Sequence, residues 1–125
     1  MIEPLIISNS TDLLRIMPSD ILCIKAEGNY SVVITSDGEK LLVSFQLGQV
    51  EQMIAEQLST EAQAFIRIGR GVIINRNYIF TISIPHQRLG MRSAQGHSVQ
   101  LEASKESLKQ LKHFVEQYTA ERREK

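Results

Sequence analysis

Apolar residues occur mostly in short runs or in alternation with polar residues, and both patterns predict β-strands. The strand-like runs of the first two thirds of the chain lie at 5–7, 13–16, 21–26, 30–35, 40–45 and 80–84. The third run is almost wholly apolar, which is typical of a strand covered on both faces. The dipeptide Asp37-Gly38 joins the fourth and fifth runs and predicts a tight hairpin, because both residues tolerate positive φ.

A second predicted hairpin lies closer to the C-terminus. In Arg88–Arg92, Leu89 and Met91 fall on one face, whereas the two arginines fall on the other. A further alternating run, Ser98–Glu102, follows a turn near Gln95-Gly96. The pattern predicts a hairpin with one buried face and one solvated, basic face.

Two segments change from a period of two to a helical period. The first stripe consists of Leu47, Val50, Ile54 and Leu58, with Ser44 or a neighbouring polar residue as the cap. The second consists of Leu108, Leu111, Val115 and Tyr118, with Phe114 beside it and Ser104 as the N-cap. Residues 121–125 have no apolar anchor and are expected to fray. The predicted fold class is mainly β, an elongated domain of short antiparallel strands in small packed sheets, with one middle helix and a C-terminal helix.

Length and composition agree with a single domain. The chain has 125 residues, 42% of them hydrophobic, and it contains no repeat, low-complexity tract or flexible linker. No apolar run approaches the roughly 20 residues that span a bilayer, and the N-terminus lacks a signal-peptide pattern. We therefore expect a cytoplasmic protein without membrane insertion. Cys23 is the single cysteine, which excludes an intramolecular disulfide, and its apolar neighbours favour a buried core position.

The distribution of charge changes the picture more than its sum. The formal net charge is zero, which by itself argues against a nucleic-acid partner. However, residues 12–61 carry eight acids against three bases, whereas the segment between Glu61 and Glu102 carries five arginines and no acid. Such a basic segment can attract a polyanion despite the neutral total, although a solvated face without a partner would look the same.

The residues that could carry catalysis form no recognised constellation. The three histidines fit no metal-ligand spacing, and Cys23 has no base nearby in the sequence. Gly69-Arg70-Gly71 lacks the rest of any phosphate-binding fingerprint. We therefore expect neither an enzyme nor a metal or other cofactor.

Four segments in a fixed order resemble the LytTR DNA-binding domain, the output domain of many bacterial response regulators. They are residues 20–30, the Asp37-Gly38 turn with the following Leu47 and Val50 helix, residues 65–79, and the closing stretch 101–105. The resemblance covers residues 18–111 and makes 1–17 the N-terminal strands of the same domain. Residues 112–125 are then the end of the C-terminal helix and a frayed tail.

The resemblance implies a fold whose loops enter successive major grooves of double-stranded DNA. The positions that would contact DNA are Asn29, Tyr30, Arg67, Arg70, Arg76, Ser104, Lys105 and Lys109. Arg70 is the best candidate for base readout, whereas Arg67, Arg76 and Tyr30 have a structural role as an equal alternative. Asn75 is expected to hold a turn rather than to contact DNA.

This chain departs from the family pattern at three positions. Gly69 and Gly71 stand where the family usually has His and Ser, which removes two polar side chains and predicts a more flexible turn. Glu106 adds an acid beside Lys105, where phosphates are expected. These departures leave an alternative open, a LytTR-like protein-interaction module with weakened DNA binding.

The leading hypothesis is a sequence-specific transcriptional regulator. The chain has no room for a receiver domain, so we expect either a stand-alone regulator or an excised output domain. The amphipathic C-terminal helix favours a homodimer on DNA, and a stand-alone regulator would need another input, such as a protein partner that supplies the signal.

Overall fold

Short strands dominate the computed structural model, which describes residues 2–123, with the backbone alone for residues 122 and 123. The ten strands of this part of the chain are β1 (Leu5–Ser8), β2 (Leu13–Ile16), β3 (Ile21–Glu27), β4 (Tyr30–Thr35), β5 (Lys40–Val43), β6 (Phe65–Ile68), β7 (Val72–Asn75), β8 (Ile79–Ser83), β9 (Arg88–Arg92) and β10 (Ser98–Glu102). The two α-helices are α1 (Leu47–Gln57) and α2 (Lys105–Arg123), and short 3-10 helices span Pro18–Asp20, Thr60–Ala64 and Arg76–Tyr78.

The strands form three antiparallel sheets. The central sheet has five strands in the order β5-β4-β3-β7-β6, the second has the order β10-β9-β8, and β1 and β2 form a separate hairpin. The predicted fold class of small antiparallel sheets with a middle and a C-terminal helix is confirmed.

One face of the central sheet packs against α1 and the β1–β2 hairpin. Ile24 and Ile73 lie opposite each other on β3 and β7 and belong to this core. Val50 and Ile54 of α1 and Leu5 of β1 complete its buried centre. The predicted helical stripe therefore faces the sheet, because residues at this spacing share one side of a helix.

The other face packs against the three-stranded sheet and the first half of α2. Leu22 and Ile74 of the central sheet, Leu89 and Met91 of β9, and Leu108 of α2 are all at most 1% exposed. The predicted inward face of β9 is confirmed, since Arg88 and Arg92 remain exposed on the other side of the strand. The central sheet is thus buried on both faces, which explains the apolar run of β3.

Element ends differ from the sequence expectations by a few residues. Gln46, a polar neighbour of Ser44, is the N-cap of α1, and its backbone N–H donates to the side chain of Gln49 at 2.9 Å. The Ser44 hydroxyl instead accepts a hydrogen bond from Asn9 at 2.8 Å, which ties the β1–β2 hairpin to the segment after β5. Helix α2 continues through Arg123, beyond the expected start of fraying; Glu124 and Lys125 lie outside the described residues.

Cys23 is fully buried in the central sheet, as its apolar neighbours predicted. Burial raises the pKa of its thiol to about 12, against an ordinary value of 9.0, while the nearby Lys25 charge acts weakly in the opposite direction. The thiol therefore has no nucleophilic character at neutral pH. Within residues 2–123 no helix is long and apolar enough to cross a membrane.

Candidate nucleic-acid interface

Two turns lie side by side at one edge of the central sheet. Strands β3 and β7 are antiparallel neighbours, so the turn after β3 and the turn before β7 occupy the same end. The backbone N–H of Ala26, near the end of β3, donates to the carbonyl oxygen of Gly71 in the turn before β7 at 2.8 Å. This hydrogen bond holds the two turns next to each other. The structure therefore brings Asn29 and Arg70 to one edge, although they are far apart in the sequence.

The β6–β7 turn is held from behind by Arg67. The Arg67 guanidinium donates to the carbonyl oxygens of Gly69 at 3.1 Å and Arg70 at 3.3 Å, and it forms an ion pair with Glu51 of α1 at 2.9 Å. Gly69 has φ +58, a left-handed conformation that glycine adopts without strain. Flexibility was expected here from the glycines, but these three interactions fix the turn against α1.

The outer side of this turn is open. An added Cβ at Gly69 or Gly71 would meet no atom within 4 Å, and the Arg70 side chain is exposed. A ligand can therefore approach the backbone closely at both glycines, with the Arg70 guanidinium between them.

The start of α2 lies next to the same turn. The Ser104 hydroxyl accepts the backbone N–H of Ser107 at 3.1 Å, so Ser104 is the N-cap that the sequence predicted. A groove of about 550 Å³ separates this helix start from the turn, and its lining includes Lys25, Gly69, Arg70, Gly71, Ser104 and Ser107. Lys105 and Lys109 are exposed on the first turns of α2. We call Asn29, Tyr30, Gly69–Gly71 and Ser104–Lys105 together the interface edge.

The β3–β4 turn presents an amide and a phenol. Tyr30 lies at the start of β4 and is 48% exposed. Its side chain is therefore half-buried, as the structural alternative expected, but its outer part remains at the surface. The Asn29 side chain accepts a long hydrogen bond from Gln46, the α1 cap, at 3.4 Å. Both side chains remain accessible to a ligand at the interface edge.

Lys25 was not among the predicted site residues, although it lines the groove beside Arg70. It pairs with Val72 across the β3–β7 ladder and points to the face opposite Ile24, on the α2 side. The signal in the sequence was a single charged residue inside an otherwise apolar run, which marks the point where β3 leaves the core.

Arg76 does not reach the interface edge. It follows β7 at the end opposite the glycine turn, and its guanidinium lies over the rings of Phe114 at 5.7 Å and Tyr118 at 5.2 Å. These contacts fasten α2 to the end of β7, with the geometry of cation–π interactions. The geometry favours the structural alternative for Arg76, and its predicted contact with DNA gains no support.

Asn75 holds the chain in place, as predicted. It is 2% exposed, and its side-chain amide donates to the carbonyl oxygens of Ile21 at 3.0 Å and Pro18 at 3.3 Å. Its side-chain oxygen accepts the backbone N–H of Asn77 at 3.0 Å. A fully used amide inside the fold is not available to DNA.

The family model of the LytTr DNA-binding domain matches residues 11–116, which is most of the chain. The chain belongs to the LytTR family. LytTR is a DNA-binding domain family, so the interface edge lies within a DNA-binding domain. The match extends beyond the 18–111 resemblance at both ends.

A solved structure has the same fold as this LytTR chain. It is the LytTr DNA-binding domain of a putative methyl-accepting/DNA response regulator from Bacillus cereus, with a TM-score of 0.58. The two sequences are 18% identical, and the match covers 90% of this chain and 96% of that chain. At this identity the likeness shows the fold alone. Among curated proteins, no sequence matches this chain.

Proposed function

We propose that this LytTR chain is a transcriptional regulator that binds double-stranded DNA sequence-specifically, with the interface edge placed in the major groove. The observation that carries this proposal is the convergence of three separate segments at one edge. Each contains a residue suited to DNA, and none of them is adjacent to another in the sequence.

Arg70 is the proposed reader of bases. Its side chain is exposed at the tip of a turn that is narrow because glycines flank it. A guanidinium can donate two parallel hydrogen bonds to the O6 and N7 atoms of guanine, which is the commonest specific contact in the major groove. Asn29 and Tyr30, in the neighbouring turn, supply further donors and acceptors for base edges or phosphate.

The start of α2 is the proposed phosphate contact. Its first backbone N–H groups have no partners in the helix apart from the one that Ser104 caps, and the helix dipole favours an anion there. Lys105 and Lys109 add positive charge on the same exposed side, and Lys25 faces the groove between this helix and Arg70. Phosphate contacts of this kind fix the orientation of a protein on the duplex and leave the bases to other residues.

Arg67 has a positioning role in this proposal. Its guanidinium is already bonded to two carbonyl oxygens and to Glu51, so it orders the Arg70 turn before DNA arrives. This arrangement offsets the loss of the two polar side chains that the family usually has at 69 and 71, because a preordered turn loses less conformational entropy on binding.

In vitro selection on a random duplex library tests the proposal. An enriched motif is expected, and two repeats about one helical turn apart would favour a homodimer on DNA. The double variant Arg70→Ala with Lys105→Ala should then lower affinity by roughly 2–5 kcal/mol for the selected site. The matched control is Arg92→Ala with Lys40→Ala, which removes the same charge at the opposite end of the sheets. Equal affinity of the two double variants would reject this site.

A protein-interaction module with weakened DNA binding is the second candidate. Exposed Glu102 and Glu106 lie near the groove and at the start of α2, where they oppose phosphate. If folded protein enriches no motif at low salt, this candidate replaces the first. Under the DNA proposal the chain works either alone or as an output domain, with a protein partner as one source of its input.

A further inference from the structure

The turn between β8 and β9 lies next to the start of α2. The backbone N–H of Ala103, which precedes the Ser104 cap, donates to the carbonyl oxygen of Gln87 at 3.2 Å. Strand β8 ends, β9 begins and β10 ends at this one end of the three-stranded sheet, because the strands are antiparallel. A surface depression lined by His86, Gln87, Glu102 and Ala103 marks the junction.

This turn continues the line of the interface edge. Glu102 and Ala103 line both this depression and the groove beside Arg70. The Asn29 turn is thus a neighbour of the Arg70 turn, the Arg70 turn is a neighbour of the start of α2, and the start of α2 is a neighbour of the β8–β9 turn.

The turn presents exposed side chains that suit a phosphate backbone. His86, Gln87 and Arg88 are all exposed and supply imidazole, amide and guanidinium groups. Gln87 has φ +52 and is the one residue other than glycine with positive φ among residues 2–123. Its backbone N–H donates to Ile84 at 3.1 Å and its carbonyl accepts from Ala103, so the turn has a fixed shape.

We propose that His86, Gln87 and Arg88 form a fourth DNA-contacting element, which binds the sugar–phosphate backbone beyond the start of α2. The inference rests on the proposed function and extends its footprint in one direction. Arg88 provides the charge, and Gln87 donates a neutral hydrogen bond. This element adds affinity and positioning rather than base readout, because contacts to phosphate carry no sequence information directly.

Glu102 is the feature that opposes this element. It lies directly across from Arg88 in the β9–β10 ladder. Among the described residues, however, the ion pairs are those of Arg67 with Glu51 and Lys112 with Glu116, so the Arg88 guanidinium is not paired with Glu102. The Arg88 charge is therefore reduced by its neighbour but remains available to DNA.

Arg92 offers a matched control on the same strand. It has the same side chain and faces the same side of β9 as Arg88, four residues further along and therefore about 13 Å away. That distance exceeds the Debye length of about 10 Å at 0.1 M salt, so its charge is largely screened from DNA at the interface edge. Its guanidinium lies 4.8 Å from the centre of the Phe80 ring, outside the proposed contacts.

The experiment compares wild-type protein, Arg88→Ala and Arg92→Ala on a duplex that carries the selected motif. Affinity is measured from 50 to 200 mM salt, and the protected nucleotides are mapped by hydroxyl-radical footprinting. We expect Arg88→Ala to make the slope of log affinity against log salt less negative by about 0.9, the value for one phosphate contact. We also expect it to lose protection at one end of the footprint, whereas Arg92→Ala should keep both wild-type values.

Gln87→Gly distinguishes the contribution of the Gln87 side chain from that of the turn's backbone conformation. Glycine suits φ +52, so the variant should fold, and a thermal melt checks this. The expected result is weaker binding with an unchanged salt slope. If Arg88→Ala and Arg92→Ala have the same slope and footprint while wild-type protein binds its motif, the fourth element is wrong and the proposed function stands. If folded wild-type protein binds no DNA, both proposals fail.

Discussion

Arg67→Ala is the variant that best separates ordering of the interface from contact with it. The Arg67 side chain is 27% exposed and that of Glu51 is 50% exposed, so their ion pair contributes at most about 1 kcal/mol. The two hydrogen bonds to the turn carbonyls contribute about 1 kcal/mol each, because the donor is charged but partly solvated. We expect the variant to lose about 2 kcal/mol of stability in urea unfolding.

In the proposed function the same interactions order the Arg70 turn before DNA binds. Without them, ordering the turn on DNA would cost conformational entropy, and the affinity for DNA would fall. We expect binding to the selected duplex to weaken by about 1–2 kcal/mol, or about 5- to 30-fold. The salt slope should not change, because Arg67 contacts no phosphate in the proposed arrangement. Hydrogen exchange at the amide of Ala26, which donates to the carbonyl oxygen of Gly71, should become faster. Arg15→Ala, which removes an exposed arginine from the β1–β2 hairpin, is the control for charge alone.

Two results would refute this reasoning. A salt slope that is less negative by about 0.9 in Arg67→Ala would show that Arg67 itself contacts phosphate, which is the alternative that the sequence left open. Unchanged affinity together with unchanged exchange at Ala26 would show that the turn keeps its shape without Arg67. A further check is Glu51→Ala, which should weaken binding slightly although it removes an acid from the protein.

Three other predictions concern stability and reactivity. Gly69→Ala should lower the free energy of unfolding by about 1 kcal/mol because of φ +58, whereas Gly71→Ala should stay within about 0.5 kcal/mol in the same urea titration. Gly90→Ala should lose about 1–3 kcal/mol, because the new Cβ would lie 2.3 Å from the Thr81 hydroxyl oxygen, and adding Thr81→Ala should restore most of the loss. Cys23 should resist iodoacetamide at pH 8.5 until urea unfolds the chain. Its raised pKa also means that only the unfolded chain ionises between about pH 9 and 12, so stability should fall as pH rises through that window.

Local pattern was enough to predict most of the secondary structure. The Asp37-Gly38 hairpin and the inward face of β9 follow from turn chemistry and from a period of two, both of which depend on neighbours in the chain. The role of Asn75 was also predictable, because a polar residue at the end of a buried strand has to satisfy its own hydrogen bonds.

The residues that the arginine side chains contact could not be predicted from local sequence pattern. Arg76 contacts Phe114 and Tyr118, which lie 38 and 42 residues later, and Arg67 contacts Glu51 sixteen residues earlier. A sequence pattern shows which face a residue occupies but not which element covers that face. The candidate site contains four cationic residues, Lys25, Arg70, Lys105 and Lys109. Only the pairing of β3 with β7 and the placement of α2 bring them to the same edge.

The buried layer between the central sheet and α2 also determines how far apart the Arg70 turn and the start of α2 lie. The Arg70 turn belongs to the five-stranded sheet, whereas the start of α2 and the β8–β9 turn stand on the opposite side of the core that Leu22, Leu89 and Leu108 fill. The volume of those side chains therefore sets the distance between the Arg70 turn and the elements on the other side of the core. Under the proposed function, a core substitution that shifts α2 against the central sheet would weaken binding of the selected duplex without altering a single proposed contact residue.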